Sequence, residues 1–424
     1  MRNTNLSIVL IVLTLFLNAC NTEQHNFKAR ALIVLSDADM IASSYEDGVL
    51  NKNFQIEDSL TVLSFNHPNS TKSQISLSNS VIGWPSVFSY SPKTQLGYFA
   101  ETKGSNHQTK IKMQRVWDAL PDGGRLFVVD LSNIENPRVV QQEKLGNNVF
   151  SVSVNSTGTV LASSVIQSEK TQILLSQLED GKIVKTFLAD TSIFNNFKRI
   201  TSLYFHPSKD ILAVNLDNTS IGFYRITRNN NTLGLEPIGG LLKVSIRWSE
   251  GKWFNNGDFF AVCDYAFTGL DKPRVSSIKS IKFDVKGNHE LISEVKTGLS
   301  TEGFDLSPDN QYIVAVNMER SFLPPTYADS LFIRPSLTLI KVSPNNGKLE
   351  RLGANYSFDG ALPEDAAFDS ESNTVAVVSF HEMKELNPRK GKVEFWEIQH
   401  ERLIKLDAKV ELTRGAHFIH AILD

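Results

Sequence analysis

The sequence is poor in cysteine. Only Cys20 and Cys263 occur among 424 residues, so a disulfide framework is excluded and the usual spacings of zinc-binding cysteines are absent. Basic residues are not in excess either: 43 Lys and Arg stand against 46 Asp and Glu, a formal net charge of −3. Without a basic stripe and interleaved aromatics, the chain has no signature of nucleic-acid binding. Gly-rich phosphate loops and a Gly-x-Ser-x-Gly motif are also missing, so a serine hydrolase has little support.

The one long apolar run, residues 6–17, lies at the N-terminus. It is shorter than the ~20 residues of a membrane span, and with its basic start it predicts an export signal over residues 1–19. The quartet Leu-Asn-Ala-Cys that ends at Cys20 resembles a bacterial lipobox, which implies a lipidated Cys20 and a polar tether over residues 20–30. By the same resemblance, Asn21 after the cysteine favours the outer membrane of a Gram-negative cell envelope. The alternative is an ordinary signal peptide cleaved nearby.

A β-hairpin pattern recurs along the rest of the chain. In residues 300–316 two apolar, β-branched runs flank a turn that contains Pro308 and Asn310, which suit the central turn positions. The same pattern recurs at 87–100, 150–164, 201–215 and 365–379, with a looser copy at 245–264. One hairpin cannot cover its own apolar faces, so repetition at this period predicts stacked or radial units that share a core.

The repeats divide the chain into seven units of about four short strands. The first unit covers residues 31–77, and the others cover 84–145, 148–189, 199–239, 244–297, 301–357 and 364–412. The first unit lacks one strand, and the apolar segment 415–424 could supply it. Such pairing would close a ring and remove open sheet edges. The sequence therefore predicts an all-β, seven-bladed β-propeller of four-stranded antiparallel blades, with residues 31–424 as a single domain.

The Ser-Pro-Asp-Asn turn and the segment Pro-Asn-Asn-Gly-Lys-Leu at 344–349 make the chain resemble the lactonase-type seven-bladed propellers. That superfamily includes 6-phosphogluconolactonase-like and quinoprotein-like repeat proteins. The resemblance extends over residues 31–424 at the level of architecture, and it implies an activity on a sugar lactone or a related ester. The blade-end motifs of tryptophan–aspartate repeats and the tandem motifs of pyrroloquinoline-quinone proteins are absent. A propeller fold does not by itself fix the activity.

Candidate site residues follow from the geometry of a propeller, in which the first strand of each blade begins at the central channel. Aligning the hairpins places five residues at equivalent positions there: Ser86, Phe150, Thr201, Glu302 and Glu364. The loops between second and third strands open on the same face, and four of them are long: 101–124, 266–277, 318–335 and 381–391. Loops on a rigid scaffold commonly carry function, so this face is the expected site.

Carboxylates, imidazoles and a guanidinium are expected to lie together on one side of the channel opening on this face, which we call the mouth. Glu302 and Glu364 would activate water or hold a metal, His381 or His417 would relay a proton, and Arg320 would stabilise an oxyanion. One divalent metal ion is a further option. Its predicted ligands are Glu302, Glu364, Asp365 and His381. The alternative is structural: Glu302 and Glu364 cap neighbouring backbone amides in a solvated channel, with Arg320 as their ion-pair partner.

These patterns favour an exported, membrane-anchored, lactonase-like protein that binds or hydrolyses a small polar ligand, and they leave open whether it is an enzyme. The competing hypothesis is a non-catalytic interaction module of the cell envelope, which would bind an envelope protein through apolar loops such as residues 322–327, within the loop 318–335. A third option, a polysaccharide lyase, would need a tyrosine beside a histidine. Tyr265 with His381 is the candidate pair. No partner nucleic acid is expected.

Overall fold

The computed structural model of the chain describes residues 27–423, except 51–54, 66–70, 106–110, 113–115, 168, 195–196 and 267–272. The predicted signal peptide, Cys20 and most of the predicted tether lie outside these residues. Within the described part of the chain, no helix has both the length and the hydropathy needed to cross a membrane.

The described residues form seven antiparallel sheets that confirm the predicted seven-bladed propeller. The first strands of neighbouring blades contact one another around the central channel. From the channel outwards, blade 1 consists of Ala416–Ile422, Ala31–Ser36, Ser59–Ser64 and Thr71–Ser76, and blade 2 of Phe88–Ser91, Leu96–Ala100, Arg125–Asp130 and Arg138–Lys144. Blade 3 consists of Asn148–Val154, Val160–Gln167, Lys170–Glu179 and Lys182–Leu188, and blade 4 of Ile200–Phe205, Ile211–Leu216, Ser220–Asn229 and Thr232–Pro237.

The remaining blades continue this order. Blade 5 consists of Trp248–Trp253, Phe259–Asp264, Val275–Lys282 and Glu290–Leu299. Blade 6 consists of Thr301–Leu306, Tyr312–Asn317, Ser336–Val342 and Leu349–Arg351, and blade 7 of Ala366–Phe368, Thr374–Ser379, Lys390–Gln399 and Arg402–Thr413. Short extra strands are Leu242–Lys243 in blade 4, Tyr356–Ser357 in blade 6, and the pair Val49–Leu50 and Ile111–Lys112. Four short helices occupy loops: Ser44–Asp47, Val116–Ala119, Ser192–Phe194 and Asp329–Leu331.

The ring closes as predicted, because the C-terminal strand is the innermost strand of blade 1. Ala416–Ile422 pairs antiparallel with Ala31–Ser36, with Phe418 opposite Leu35 and Ile422 opposite Ala31. Every blade thereby gains a neighbour on both sides, which removes the exposed edges that an open propeller would leave between its ends.

Side-chain hydrogen bonds within the hairpin turns explain why the repeat is visible in the sequence. The side-chain oxygen of the first turn residue accepts hydrogen bonds from the backbone N–H groups four and five residues later. This geometry recurs at Asn155, Ser307 and Asp369, with distances of 2.9–3.1 Å. Asn310 has φ = 58°, in the left-handed region that asparagine tolerates. Short polar side chains are therefore required at these positions.

The propeller has two faces, which we call the upper face and the lower face. The upper face carries the starts of the first strands and the loops between second and third strands. The lower face carries the turns between first and second strands and between third and fourth strands. Between blades, the core is apolar: Phe223, Trp253, Phe260 and Phe283, from blades 4 and 5, have ring centroids 5.0–6.2 Å apart. This rigid packing fixes the residues that line the mouth.

Candidate functional site

Two adjoining cavities open on the upper face. The inner cavity has a volume of about 240 Å³, and the outer cavity has a volume of about 750 Å³. Tyr45, Ile82, Trp84 and Arg247 line both, so the two are continuous. The inner cavity is further lined by Glu46, Val81, Tyr265, Glu302, Met318, Phe322, Leu362 and Glu364. The outer cavity includes Trp117, Phe150, Arg199, Thr201 and Asn218.

Glu302 and Glu364 bring two carboxylates to the inner cavity from neighbouring blades, as the sequence predicts. Glu302 is the second residue of the first strand of blade 6, and Glu364 lies two residues before the first strand of blade 7. The two backbones are in close contact, since a Cβ atom on Gly303 would lie 2.1 Å from the carbonyl oxygen of Glu364. Only glycine at position 303 allows the blades to approach this closely.

The two carboxylates are buried but have no hydrogen-bonding partner among the described residues. Glu302 is 8% exposed and Glu364 is 3% exposed. Burial raises the pKa of Glu302 to about 8, with Arg247 opposing the rise and Glu250 adding to it. Burial also raises the pKa of Glu364 well above its ordinary value, and the neighbouring Glu302 raises it further. Two acids that share a cavity ionise in sequence rather than together. Arg247 favours Glu302 as the first to ionise.

Arg247 is the cation nearest to this pair in the cavity wall. Its guanidinium carbon lies 5.3 Å from the ring centroid of Trp84 and 5.2 Å from that of Tyr265. The two rings meet edge to face with centroids 5.8 Å apart. The side chain is therefore held by aromatic faces, which leave its N–H donors able to bind an anion. Sequence reasoning missed Arg247, because the hairpin of blade 5 has a longer turn that obscures the alignment.

A repeated backbone clamp sets the position of Arg247. The Oδ1 atom of Asp264 accepts hydrogen bonds from the backbone N–H groups of Ile246 (3.0 Å) and Arg247 (3.1 Å), just before the first strand of blade 5. In blade 4, Asp217 Oδ1 accepts from Lys198 (2.9 Å) and Arg199 (2.8 Å) in the same way. The residue directly before the first strand is thus arginine in both blades. Both arginines line the outer cavity.

Aromatic side chains complete the mouth. The Tyr45 hydroxyl donates a hydrogen bond to the carbonyl oxygen of Val81 (3.1 Å), and its ring is 41% exposed. Trp117 stacks on Phe150 in the outer cavity, with ring centroids 5.8 Å apart and planes 9° apart. The mouth therefore has arginines on the side of blades 4 and 5, carboxylates on the side of blades 6 and 7, and flat apolar surfaces between them.

His381 does not line either cavity. Its Nε2 atom accepts a hydrogen bond from the backbone N–H of Ala42 (3.1 Å), so its Nδ1–H donates to the carbonyl oxygen of Glu382 (2.7 Å). Burial lowers the pKa of His381 to about 4. Both ring nitrogens form hydrogen bonds with the backbone, so the neutral imidazole of His381 has a structural role. The pairing of Tyr265 with His381 that a lyase would need is not formed in the cavity.

His417, Asp365 and Arg320 also lie outside the two cavities. The Nε2–H of His417 donates to Asn79 Oδ1 (2.9 Å), and burial lowers the pKa of His417 to about 3. Asp365 accepts hydrogen bonds from the backbone N–H groups of Ala366 (2.8 Å) and Ile419 (3.1 Å). Asp365 therefore caps backbone amides, the structural role that was considered for Glu302 and Glu364. Of the residues predicted to act in catalysis or to bind a metal, the structure brings only Glu302 and Glu364 together in the inner cavity.

The predicted metal ligands are not gathered either. Among the described residues, the acidic group whose oxygen atoms converge is a different one: Asp37, Asp39 and Asp58. These oxygens accept hydrogen bonds from backbone N–H groups, including Ala38 to Asp58 (2.9 Å). The guanidinium of Arg414 lies beside the cluster and donates to the carbonyl oxygen of Ala38. These hydrogen bonds tie the group into the backbone where the chain leaves the second strand of blade 1.

The loop 318–335, predicted as an apolar docking loop, folds back on the chain. Phe322 is 6% exposed and lines the inner cavity. The hydroxyl of Tyr327 donates a hydrogen bond to Glu46 Oε1 (2.9 Å). Phe322 thus forms part of the wall of the inner cavity. Of the other long loops, 101–124 and 266–277 lie partly outside the described residues.

Comparison with solved structures agrees with this architecture. The chain is similar to the periplasmic gluconolactonase of Pseudomonas aeruginosa (13% identity, TM-score 0.61, covering 92% of this chain and 98% of that chain). It is also similar to a candidate 6-phosphogluconolactonase of Bacteroides fragilis, with 13% identity and a TM-score of 0.62 over 92% of this chain and 97% of that chain. A candidate 6-phosphogluconolactonase of Bacteroides uniformis has 14% identity and a TM-score of 0.60 over 92% of this chain and 99% of that chain. The likeness is one of fold: these structures share the architecture of this chain along nearly its whole length. The sequence matches no protein-family model and no curated protein.

Proposed function

We propose that the protein is a lactonase-like hydrolase that opens a small, polar sugar lactone in the inner cavity. The observation that carries the proposal is the pair of buried, unbonded carboxylates, Glu302 and Glu364, beside Arg247. Buried acids without partners are costly to keep, so their retention in a cavity favours a chemical role. The likeness of the fold to gluconolactonases supports the same reaction class.

The cavity walls suit a carbohydrate-derived ligand. Trp84, Tyr45 and Tyr265 offer flat faces on which a sugar ring packs, and the carboxyl groups form hydrogen bonds with its hydroxyls. A negatively charged substituent would bind Arg247, or Arg199 in the outer cavity. Because Arg247 contacts aromatic rings, its guanidinium can form a bidentate ion pair with a carboxylate or phosphate.

In the proposed reaction, Glu302 is the base and Glu364 the acid. The ionised Glu302 takes a proton from water as the water oxygen bonds to the lactone carbonyl carbon. Arg247 stabilises the negative charge that develops on the carbonyl oxygen. The ring C–O bond then breaks, and the departing ring oxygen takes the proton of Glu364. The products are the open hydroxy acid and, after proton exchange with solvent, the original states of both glutamates.

The pKa of Glu302 sets the pH dependence of this reaction. A base with a pKa of about 8 is mostly protonated below pH 7. We expect kcat/KM to rise about tenfold per pH unit below pH 8 and to level off above it. Ionisation of Glu364 at still higher pH would then lower the rate.

The decisive experiment compares purified variants on glucono-1,5-lactone and its 6-phosphate, with spontaneous hydrolysis subtracted. Glu302→Gln and Glu364→Gln should each lower kcat by roughly 10²–10⁴-fold, the usual contribution of a general acid or base. Glu319→Gln is the matched control. Glu319 is a buried glutamate of blade 6 that lines neither cavity, and its carboxylate accepts hydrogen bonds from Leu299 N–H (3.1 Å) and Ser336 Oγ–H (2.8 Å).

Unchanged turnover in the Glu302→Gln and Glu364→Gln variants would contradict the proposed roles. No turnover of any lactone by the wild-type protein, with an envelope protein that co-purifies from solubilised membranes and is lost on deletion of loop 318–335, would instead favour the interaction module. Both results are separable from misfolding, because the control variant and the two cavity variants can be compared by their unfolding midpoints.

We also propose that the protein is exported and lipid-anchored through Cys20. The support is the sequence: a short apolar run followed by a lipobox-like quartet. Incorporation of labelled palmitate into the wild-type protein, and its loss in Cys20→Ser, would test this. Label retained in Cys20→Ser would place the modification elsewhere.

A further inference from the structure

The chain enters the propeller on the lower face, and its position there is fixed. Phe27 is 1% exposed, with its ring centroid 5.3 Å from that of Phe65 and 5.6 Å from that of Phe395. The carbonyl oxygen of Lys28 accepts a hydrogen bond from the N–H of Ser370 (2.8 Å), which belongs to the lower turn of blade 7. These contacts hold the first described residues against blades 7 and 1.

The cavities lie on the opposite face of the same blades. Glu364 lies at the upper end of blade 7, and the chain reaches the lower turn after the strand Ala366–Phe368. The returning strand Thr374–Ser379 has six residues. At ~3.3 Å per residue, this strand alone separates the faces by roughly 20 Å.

The tether between Cys20 and Phe27 is too short to reach around the propeller. Seven residues span at most ~25 Å when fully extended. A path to the upper face must pass the two outer strands of blade 1, Ser59–Ser64 and Thr71–Ser76. At ~4.8 Å per strand this path runs about 10 Å outwards, and then about 20 Å up the blade. The total, roughly 30 Å, exceeds the reach of the tether.

We propose that the lower face is the membrane-facing surface of the protein, and that both cavities open away from the bilayer. The partner of this surface is the lipid bilayer itself. The inference rests on the proposed lipidation of Cys20, and it adds the direction from which the ligand arrives. The ligand must be water-soluble, because the mouth is held on the side remote from the lipid.

Two labels on the same blade test this orientation. Glu371 is exposed on the lower turn of blade 7, and Leu386 is 67% exposed on its upper loop. Glu371→Cys and Leu386→Cys would each be labelled with a fluorescent donor in the full acylated protein. The buried Cys263 (0% exposed) and the acylated Cys20 would not compete. Vesicles of phosphatidylethanolamine and phosphatidylglycerol would carry an acceptor on the lipid headgroup, with a transfer radius of about 40 Å.

We expect energy transfer from the Glu371→Cys label to exceed that from the Leu386→Cys label several-fold. A flexible insertion of about 30 Gly and Ser residues after Glu23 adds roughly 30 Å of average reach and should abolish the contrast. Equal transfer from the two labels in the protein with the natural tether, or stronger transfer from Leu386→Cys, would overturn the orientation. Protein that does not float with the vesicles would overturn the orientation together with the anchor. Lactone turnover, measured on the same vesicles, reports separately on the proposed hydrolysis.

Discussion

Replacing Glu302 by glutamine is predicted to stabilise the protein at alkaline pH while it removes activity. Glutamine has the shape of a protonated glutamic acid but cannot ionise. In the wild-type protein, raising the pH forces a negative charge onto the side chain of Glu302, a residue that is only 8% exposed. The neighbouring Glu250 adds repulsion, and only Arg247 compensates. Stability and function therefore oppose each other at this position.

The size of the effect follows from the pKa difference between the two states. The pKa of Glu302 is about 8 in the folded protein, and its ordinary value is 4.5. The folded state thus binds more protons between these values, so the free energy of unfolding falls as pH rises through them. At ~1.4 kcal/mol per pKa unit, the wild-type protein loses up to about 4 kcal/mol relative to Glu302→Gln between pH 5 and pH 9.

Urea unfolding of both proteins at pH 5, 7 and 9 measures this difference. We expect similar stabilities at pH 5 and a clear advantage of Glu302→Gln at pH 9. Glu371→Gln, on an exposed lower turn, is the control and should change stability by less than about 0.5 kcal/mol at every pH. If Glu302→Gln is no more stable than the wild type at pH 9, the carboxylate is not held protonated by burial, and its proposed role as the titrating base falls.

Three further substitutions separate architecture from chemistry. Gly303→Ala should destabilise the protein by about 1–3 kcal/mol in urea unfolding, because its Cβ meets the carbonyl oxygen of Glu364 at 2.1 Å; a neutral result would contradict the tight blade contact. His381→Ala should cost about 1–3 kcal/mol, because the buried Ala42 N–H loses its acceptor. It should leave the shape of the pH–rate profile unchanged, and a lost alkaline rise would restore a catalytic role to His381. Asp369→Ala should lower the unfolding midpoint by removing its two turn hydrogen bonds, whereas Asp369→Asn, which keeps the side-chain acceptor that Asn155 provides in blade 3, should lower it less.

The fold was predictable because its signals are local and repeated. Turn residues such as Ser307 and Asp369 must be short and polar, since their side chains bond the backbone four and five residues later. The strand missing from the first unit and the extra strand at the C-terminus identified the closure. The long loops on the upper face were also predictable from the sequence. The inward packing of loop 318–335 was not, because an apolar Phe322 fits both a buried position and an exposed docking surface.

The site was only partly predictable, because a residue's place at the start of a first strand does not determine which way its side chain points. Glu302 and Glu364 reach the cavity from adjacent strand starts. His417 occupies a similar place, but the register of its strand shifts between Leu35 and Ser36, and its ring bonds Asn79 instead. Arg247 lay one residue before a strand whose alignment was hidden by a longer turn.

The chemistry of the mouth follows from two neighbouring positions at the start of the first strand, one occupied by Arg199 and Arg247 and the other by Glu302 and Glu364, where the residue type varies between blades. The residues at the starts of the first strands are fixed in space by the blades, so the residue type there decides the local charge. Arginine in blades 4 and 5 and glutamate in blades 6 and 7 produce a polar mouth from a repetitive scaffold. Arg247 belongs to both halves, since it lowers the pKa of Glu302 and can also bind an anion. An anionic ligand that pairs with Arg247 therefore raises the pKa of Glu302, which couples binding to proton uptake.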